Sequence, residues 1–492
     1  MSALPDAINM GSDQSSMNMN GTEMAGMDKT AQPGGGTATS VTRLVEAPSQ
    51  APVKTFNLTA QEARLDLGEG KLVEAWTFNG TAPGPELRVQ QGDLVVVHLK
   101  NNLPFSTTIH WHGVAVPNAE DGVAGVTQDA IKPGESYTYS FIAREAGTYW
   151  YHAHQQSFLQ VSHGMYGTLV VEPKNSAAYD DRDYTLVLKE WADEASCFKD
   201  CSETLTINGQ RQGLHLVAQP GEMVRLRLVN AGEDTHLPVV VGTAVEVVAL
   251  DGHDLNAPTP LENTRFPIAP AQRYDLRFRM PASGTVTLLD ANPGSLPANQ
   301  HPAVIIGSTP STAPSASVSQ SYPDNAPQFD LTHYGSPQMP FSKESGASFD
   351  AQYNLVLGNH LGFYDRHITM LFTINDQVFP NIPMITVQPG QAVKLHITNP
   401  SDIPHAMHLH GHTFNVLSRN DKPLSGSPVR LDTLLVNPGE SYEIVFVANN
   451  PGLWMLHCHM LRHAAQGMDM MVVYPNISTP FTVGDKSGNH PD

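Results

Sequence analysis

Cysteine is nearly absent from this 492-residue chain, which has only Cys197, Cys201 and Cys458. That excludes a disulfide-stapled scaffold. The short spacing of Cys197 and Cys201 fits either a disulfide or two free thiols, because bridging depends on Cα geometry. Charge is also scarce: Asp, Glu, Lys and Arg make up 15% of the residues, and the balance is acidic, with a net charge of −20 and a pI near 5.4. Such a surface disfavours nucleic acid and anionic membranes as partners and suits neutral or cationic substrates. No apolar run is long enough to span a bilayer, and the N-terminus has no charged segment followed by an apolar one. We therefore expect a soluble chain whose export signal, if it has one, has been trimmed or lies outside this sequence. Helix-period patterning with caps is almost missing.

What the chain has instead is 39 Gly, 38 Pro and short runs rich in Val, Ile, Thr and Tyr between turn residues. That composition points to an all-β protein built of sandwiches, and the length predicts about three domains. Two repeats divide the chain accordingly. The first is Val89-Gln-Gln-Gly92 followed by Asp-Leu-Val-Val-Val-His-Leu-Lys-Asn101, and it returns at Ala218–Asn230 and Val387–Asn399. The second follows in each unit, as Pro133-Gly-Glu-Ser-Tyr137, Pro270-Ala-Gln-Arg-Tyr274 and Pro438-Gly-Glu-Ser-Tyr442. The expected units are a disordered Met-rich tail over 1–45, sandwiches over 46–175, 176–310 and 347–492, and a Ser/Pro-rich linker over 311–346 that crosses the surface.

The chemistry concentrates at His457-Cys458-His459, continued by His463 and Met468. A Cys thiolate, imidazoles and a weak thioether are the ligand set of a blue electron-transfer copper. In an extended segment His457 and His459 point to one side, while Cys458 points to the other, toward His463 and Met468. Two metal sites are then joined through adjacent residues. Partners for His457 and His459 exist in three further H-x-H pairs: His110/His112, His152/His154 and His408/His410, the last preceded by His405. A single pair is ordinary background; four on one chain, with a Cys inside the last, are not.

These segments resemble the multicopper oxidases, the laccase-like blue copper enzymes, over about residues 50–475. The resemblance implies three cupredoxin-like Greek-key β-sandwich domains, with a trinuclear cluster between the first and third and a copper-free second. It also implies four copper ions. Cys458, His405 and His463 match the type 1 ligands, with Met468 axial; His110 and His408 match the type 2 ligands. His112, His152, His154, His410, His457 and His459 match the ligands of the type 3 pair, and no ligand position is empty. Asp121, nine residues after His112, falls where bacterial relatives carry a carboxylate that relays protons or holds water. Ala464 departs from the Glu that several of them place after the type 1 His, which puts part of that proton route in doubt.

By the same resemblance, small phenolic or aromatic-amine donors give single electrons at His463, and Cys458 passes them on for the reduction of O2 to water. Axial Met468 implies a lower-potential type 1 site and easily oxidised phenols. The resemblance further implies an extracytoplasmic protein, and we expect a monomer. A metallo-oxidase of Cu(I) or Fe(II) is the alternative. It draws on Met10, Met17, Met19, Met24 and Met27 of the tail and on Met468-Asp-Met-Met471, since thioethers suit Cu(I). The complete ligand set argues against a relative that has lost copper, and the third repeat argues against a two-domain nitrite reductase.

Overall fold

The computed structural model describes residues 7–11, 38–174, 180–192, 203–290, 302–309, 326–338 and 349–492. They form three two-sheet β-sandwiches. The first pairs the sheet of Leu72–Phe78, Val53–Asp66, Leu94–Asn101 and Ser136–Ile142 with that of Leu87–Gln90, Tyr166–Glu172, Gly147–His152 and His110–His112. A six-stranded and a four-stranded sheet form the second sandwich, and a seven-stranded and a five-stranded sheet the third.

The repeats become equivalent strands. In each sandwich the strand after the first repeat (Leu94–Asn101, Met223–Asn230, Ala392–Thr398) lies antiparallel to the strand after the second (Ser136–Ile142, Arg273–Arg279, Ser441–Val447). The repeated glycines Gly92, Gly221 and Gly390 take φ of 92°, 85° and 84°, a left-handed turn in which a side chain would be strained. The repeated Asn has one job in all three copies. Asn101, Asn230 and Asn399 each donate through Nδ2 to two carbonyls of neighbouring loops and accept through Oδ1 from the backbone two residues on. A buried amide with its donors and acceptor satisfied pins the loops to the strand end.

Two expectations need correction. The tail is not wholly disordered: Ile8 bridges Val483, Thr39–Ser40 pairs with Ile477–Ser478, and Met10 is buried with Val123, Val126, Leu453 and Met471. An apolar side chain that fits a seam between the first and third sandwiches gains more by docking than by solvation. The linker is likewise not a plain surface crossing. Phe329 and Tyr334 lie in the core, and the Tyr334 hydroxyl donates to the Thr259 carbonyl and accepts from the Val247 and Thr259 N–H groups. Met17, Met19, Met24, Met27, Cys197 and Cys201 lie outside the described residues. Among the described residues no helix is long and apolar enough to cross a membrane.

Candidate metal centres

Strand pairing brings the histidine segments together. His110–His112 lies antiparallel to Gly147–His152, with His110 opposite His152. In the third sandwich His405–Leu409 lies antiparallel to Leu453–Cys458, with His408 opposite His457 and Met407 opposite Cys458. The open ends of these two strand pairs face each other across the domain boundary. Five groups of ligand atoms, each within 4.8 Å, result: His112/His152/His459, His154/His410/His457, His110/His112/His408, His405/Cys458/His463 and His110/Asp121/His410. Every histidine named from the sequence thus falls in a group, and His110, His112 and His410 each belong to two. Met468 is fully buried in the same core as Cys458, and its carbonyl accepts the Cys458 N–H at 3.1 Å.

Around Cys458 the thiol lies 3.8 Å from His405 Nδ1 and 3.5 Å from His463 Nδ1. Burial pushes the thiol up to about 12 and holds His405 at about 4 and His463 at about 3. The imidazoles are therefore neutral and able to ligate, whereas the thiol needs a cation beside it to ionise. The Phe372 ring stacks on His463 at 3.8 Å and 20°.

In the eight-histidine cluster the outer hydrogen bonds fix the tautomers. Nδ1–H of His110, His152, His408 and His457 donates to the carbonyls of Asp121, Ala153, Asp432 and Cys458 at 2.9, 2.9, 2.9 and 3.2 Å. His410 Nδ1–H donates to the Asp121 carboxylate at 3.0 Å. Since a carbonyl or carboxylate only accepts, Nε2 carries the bare lone pair in these rings. His112 is turned the other way: its Nε2–H donates to Asp432 Oδ1 at 3.0 Å, leaving Nδ1 bare. Nε2 of His110, His154 and His408 and Nδ1 of His112 and His459 are buried without a hydrogen-bond partner. So many orphaned imidazole nitrogens at one place are costly in an empty protein interior and are what a soft or borderline cation would satisfy. Burial, reinforced by neighbouring imidazoles, lowers His112, His152, His154, His410, His457 and His459 well below the usual histidine range. A set of neutral nitrogen donors beside a site with one thiol, two imidazoles and, in the same core, the buried Met468 fits copper.

Asp121 groups with His110 and His410. Its carbonyl serves His110, its Oδ2 serves His410, and its buried Oδ1 lies 3.2 Å from His110 Nδ1 with no hydrogen bond of its own. Sequence reading missed the matching carboxylate, Asp432, whose carbonyl and Oδ1 serve His408 and His112. Burial alone would raise Asp432, yet the Arg273 guanidinium against it holds it well below the usual carboxylate range. Arg273 stands where the other two copies of the second repeat have Ser136 and Ser441, and that departure was the signal available. Phe372 carried none.

Family models described as multicopper oxidase match residues 59–176, 179–287 and 352–478. The chain is 31% identical to "Laccase-7" of Oryza sativa subsp. japonica over 82% of its own length and 88% of the relative's. It is 29% identical to "Multicopper oxidase MmcO" of Mycobacterium tuberculosis over 87% and 88%. The crystal structure of a multi-copper oxidase from Pseudomonas thermotolerans superposes with a TM-score of 0.69 at 29% identity, covering 86% of this chain and all of that one. The three sandwiches are accordingly cupredoxin-like.

Proposed function

This chain belongs to the multicopper oxidase family, whose members are oxidoreductases acting with O2, and from that premise we propose that it is a laccase-like enzyme of phenolic or aromatic-amine donors. Copper held at the type 1 group and at the eight-histidine cluster would supply one-electron oxidation of the donor and four-electron reduction of O2 to water. The ligands are those read from the sequence: His405, Cys458, His463 and Met468 for one ion, His110 and His408 for a second, and the remaining six histidines for a pair.

The observation that carries the donor class is the hairpin Ala351–Tyr364/His367–Ile374 beside His463. Its register sets Asn359 opposite Phe372, Leu361 opposite Met370 and Phe363 opposite Ile368, so these side chains share one face. Phe372 covers His463 at one end, and outward from it Leu361 and Ile368 are 70% and 76% exposed. An apolar strip leading from solvent to a ligand ring suits the flat body of an aromatic donor and does nothing for a hydrated metal ion. For the Cu(I) arm of the alternative, the thioethers cited from the sequence are withdrawn or outside the described residues, and among those described the accessible one near His463 is Met370, 41% exposed on the strip itself. Met10, Met470 and Met471 are 4%, 3% and 1% exposed.

His463 is the ring nearest the strip and the natural acceptor of the donor's electron. Cys458 is bonded on both sides to cluster histidines, so the two sites are connected through the backbone of three consecutive residues. Asp121 Oδ1, buried beside His110 and with no hydrogen bond of its own, is the atom available to take up a proton or hold a water hydrogen during O2 reduction. Location outside the cytoplasm and a monomeric state belong to the same proposal. Purified, copper-loaded protein assayed side by side on 2,6-dimethoxyphenol, Cu(I) and Fe(II) tests it: kcat/KM should be highest for the phenol, and a preference for either metal ion would overturn the donor class.

A further inference from the structure

The middle sandwich supplies none of the ligand groups found among the described residues, yet it reaches the cluster. Arg273, at the start of its strand Arg273–Arg279, is fully buried where all three sandwiches meet. Its Nη1 and Nη2 grip Asp432 of the third sandwich at 2.8 and 2.6 Å, and its Nε donates to the Thr148 carbonyl of the first at 3.0 Å. Asp251, also from the middle sandwich, accepts the backbone N–H groups of Asp432 and Thr433 at 3.2 and 3.1 Å. Gly113, next to His112 and with φ of 80°, leaves the room: a Cβ there would collide with the guanidinium and with Asp432. On its far side Asp432 takes the Nε2–H of His112 at 3.0 Å, while its carbonyl takes the Nδ1–H of His408.

We propose that Arg273 is a positioning residue for the trinuclear cluster, acting through Asp432 to fix which nitrogen of His112 faces the metal and how His112 and His408 are set against each other. The inference rests on the metal-centre reading above. Its physical basis is the bidentate fork. Two parallel N–H···O bonds define the plane of the carboxylate, and Oδ1 is then aimed at His112 without freedom to rotate. Held in this way, His112 presents Nδ1 where the other rings with outer acceptors present Nε2, and its ring stacks on His408 at 3.7 Å. Orienting partners of this kind are worth about 10- to 100-fold in metal affinity. The middle sandwich is thus part of the centre and not the spacer its lack of ligands suggests.

Arg273→Gln and Arg273→Lys in the full-length, copper-loaded protein test this, with the wild type as reference. In Arg273→Gln we expect the blue absorption of the Cys458 site to persist. Copper retained at the cluster against a chelator should fall about 10- to 100-fold, with an altered type 2 electron paramagnetic resonance spectrum. Arg273→Lys keeps the charge but not the fork, so it should show the altered spectrum with a smaller loss. Asp432→Asn should change the same spectrum, and adding Arg273→Gln to it should add little. Normal cluster copper and an unchanged spectrum in both Arg273 variants would overturn the proposal. So would a parallel fall of blue absorption, cluster copper and thermal stability, which is the signature of domain docking alone, or full additivity with Asp432→Asn. If Arg273→Gln does not fold, the Lys spectrum decides. A wild type that takes up no copper at the cluster would instead fault the metal-centre reading itself.

Discussion

The group around Cys458 draws all its members from residues 405–468 of one sandwich, whereas the eight-histidine cluster takes four residues from each of two sandwiches and orienting contacts from three. The first is set by two paired strands, one short helix and the apolar core behind them, and its aromatic neighbour Phe372 comes from the same domain. The second exists only when the domains are docked. Asp121 of the first sandwich orients His410 of the third, and Asp432 of the third orients His112 of the first. The carboxylates are exchanged across the boundary, so the geometry of the cluster reports the docking of the chain, while the Cys458 site reports only the integrity of its own sandwich. Each site can therefore be damaged without the other.

The largest effect expected is at Cys458. Cys458→Ser removes the only thiolate of the type 1 group, so blue absorption and donor oxidation should vanish. The cluster histidines keep their outer hydrogen bonds, and metal analysis should return about three coppers in place of about four. Loss of all copper would show that the two centres are not separable, and one copper, or zinc, in the wild type would sink the cluster itself. Next comes Asp121→Asn. Stopped-flow experiments should find O2 reoxidation about 10- to 100-fold slower with anaerobic reduction of the type 1 site unchanged; equal loss in both half-reactions would mean a defect in folding or loading. Smaller again is the hairpin. Leu361→Ser with Ile368→Ser should cost a docked aromatic donor about 1 kcal/mol, or about fivefold in KM, and leave Fe(II) turnover where it was.

How much of this was legible in the sequence follows from the same contrast. Ligands announce themselves because a metal needs particular side chains at particular spacings, and the H-x-H pairs and His457-Cys458-His459 record that need directly. The sandwiches were legible through their repeats, since the Gly and Asn of each copy meet the same backbone requirement three times over. Asp432 was signalled only indirectly, by Arg273 in the second repeat, and Phe372 not at all. A carboxylate between Leu431 and Thr433, or a Phe in a β-strand, has an ordinary reading, and only tertiary placement gives it another. Ile8, Met10, Phe329 and Tyr334 were misread for a related reason: segments of low apolar content look unfolded until a few apolar side chains find a preformed seam.

The smallest effect expected on turnover concerns the turn that carries Asp121, where stability responds instead, and it sharpens the contrast by asking whether protonation can reach the cluster side alone. Glu120, at the end of the short helix Asn118–Glu120, is buried, and burial raises it from 4.5 to about 7, despite the N–H of Ser140 donating to its Oε2 at 2.9 Å. A folded value above the unfolded one means that the folded chain holds this proton more tightly. The stability gained from it is fully present below pH 4.5, declines as the unfolded state ionises, and is gone once pH has risen through about 7. Glu120→Gln keeps an acceptor for Ser140 and cannot ionise. Relative to wild type it should be nearly neutral in stability under acidic conditions and more stable by about 3 kcal/mol on the alkaline side, as read from denaturant midpoints across that range. The blue absorption should stay flat over the same titration in both proteins, because Glu120 belongs to the first sandwich and none of the Cys458 group does. An advantage for the Gln variant that shrinks as pH rises would reverse the assigned sign, and a blue band that moves with it would mean that the two centres are coupled more tightly than their separate construction implies.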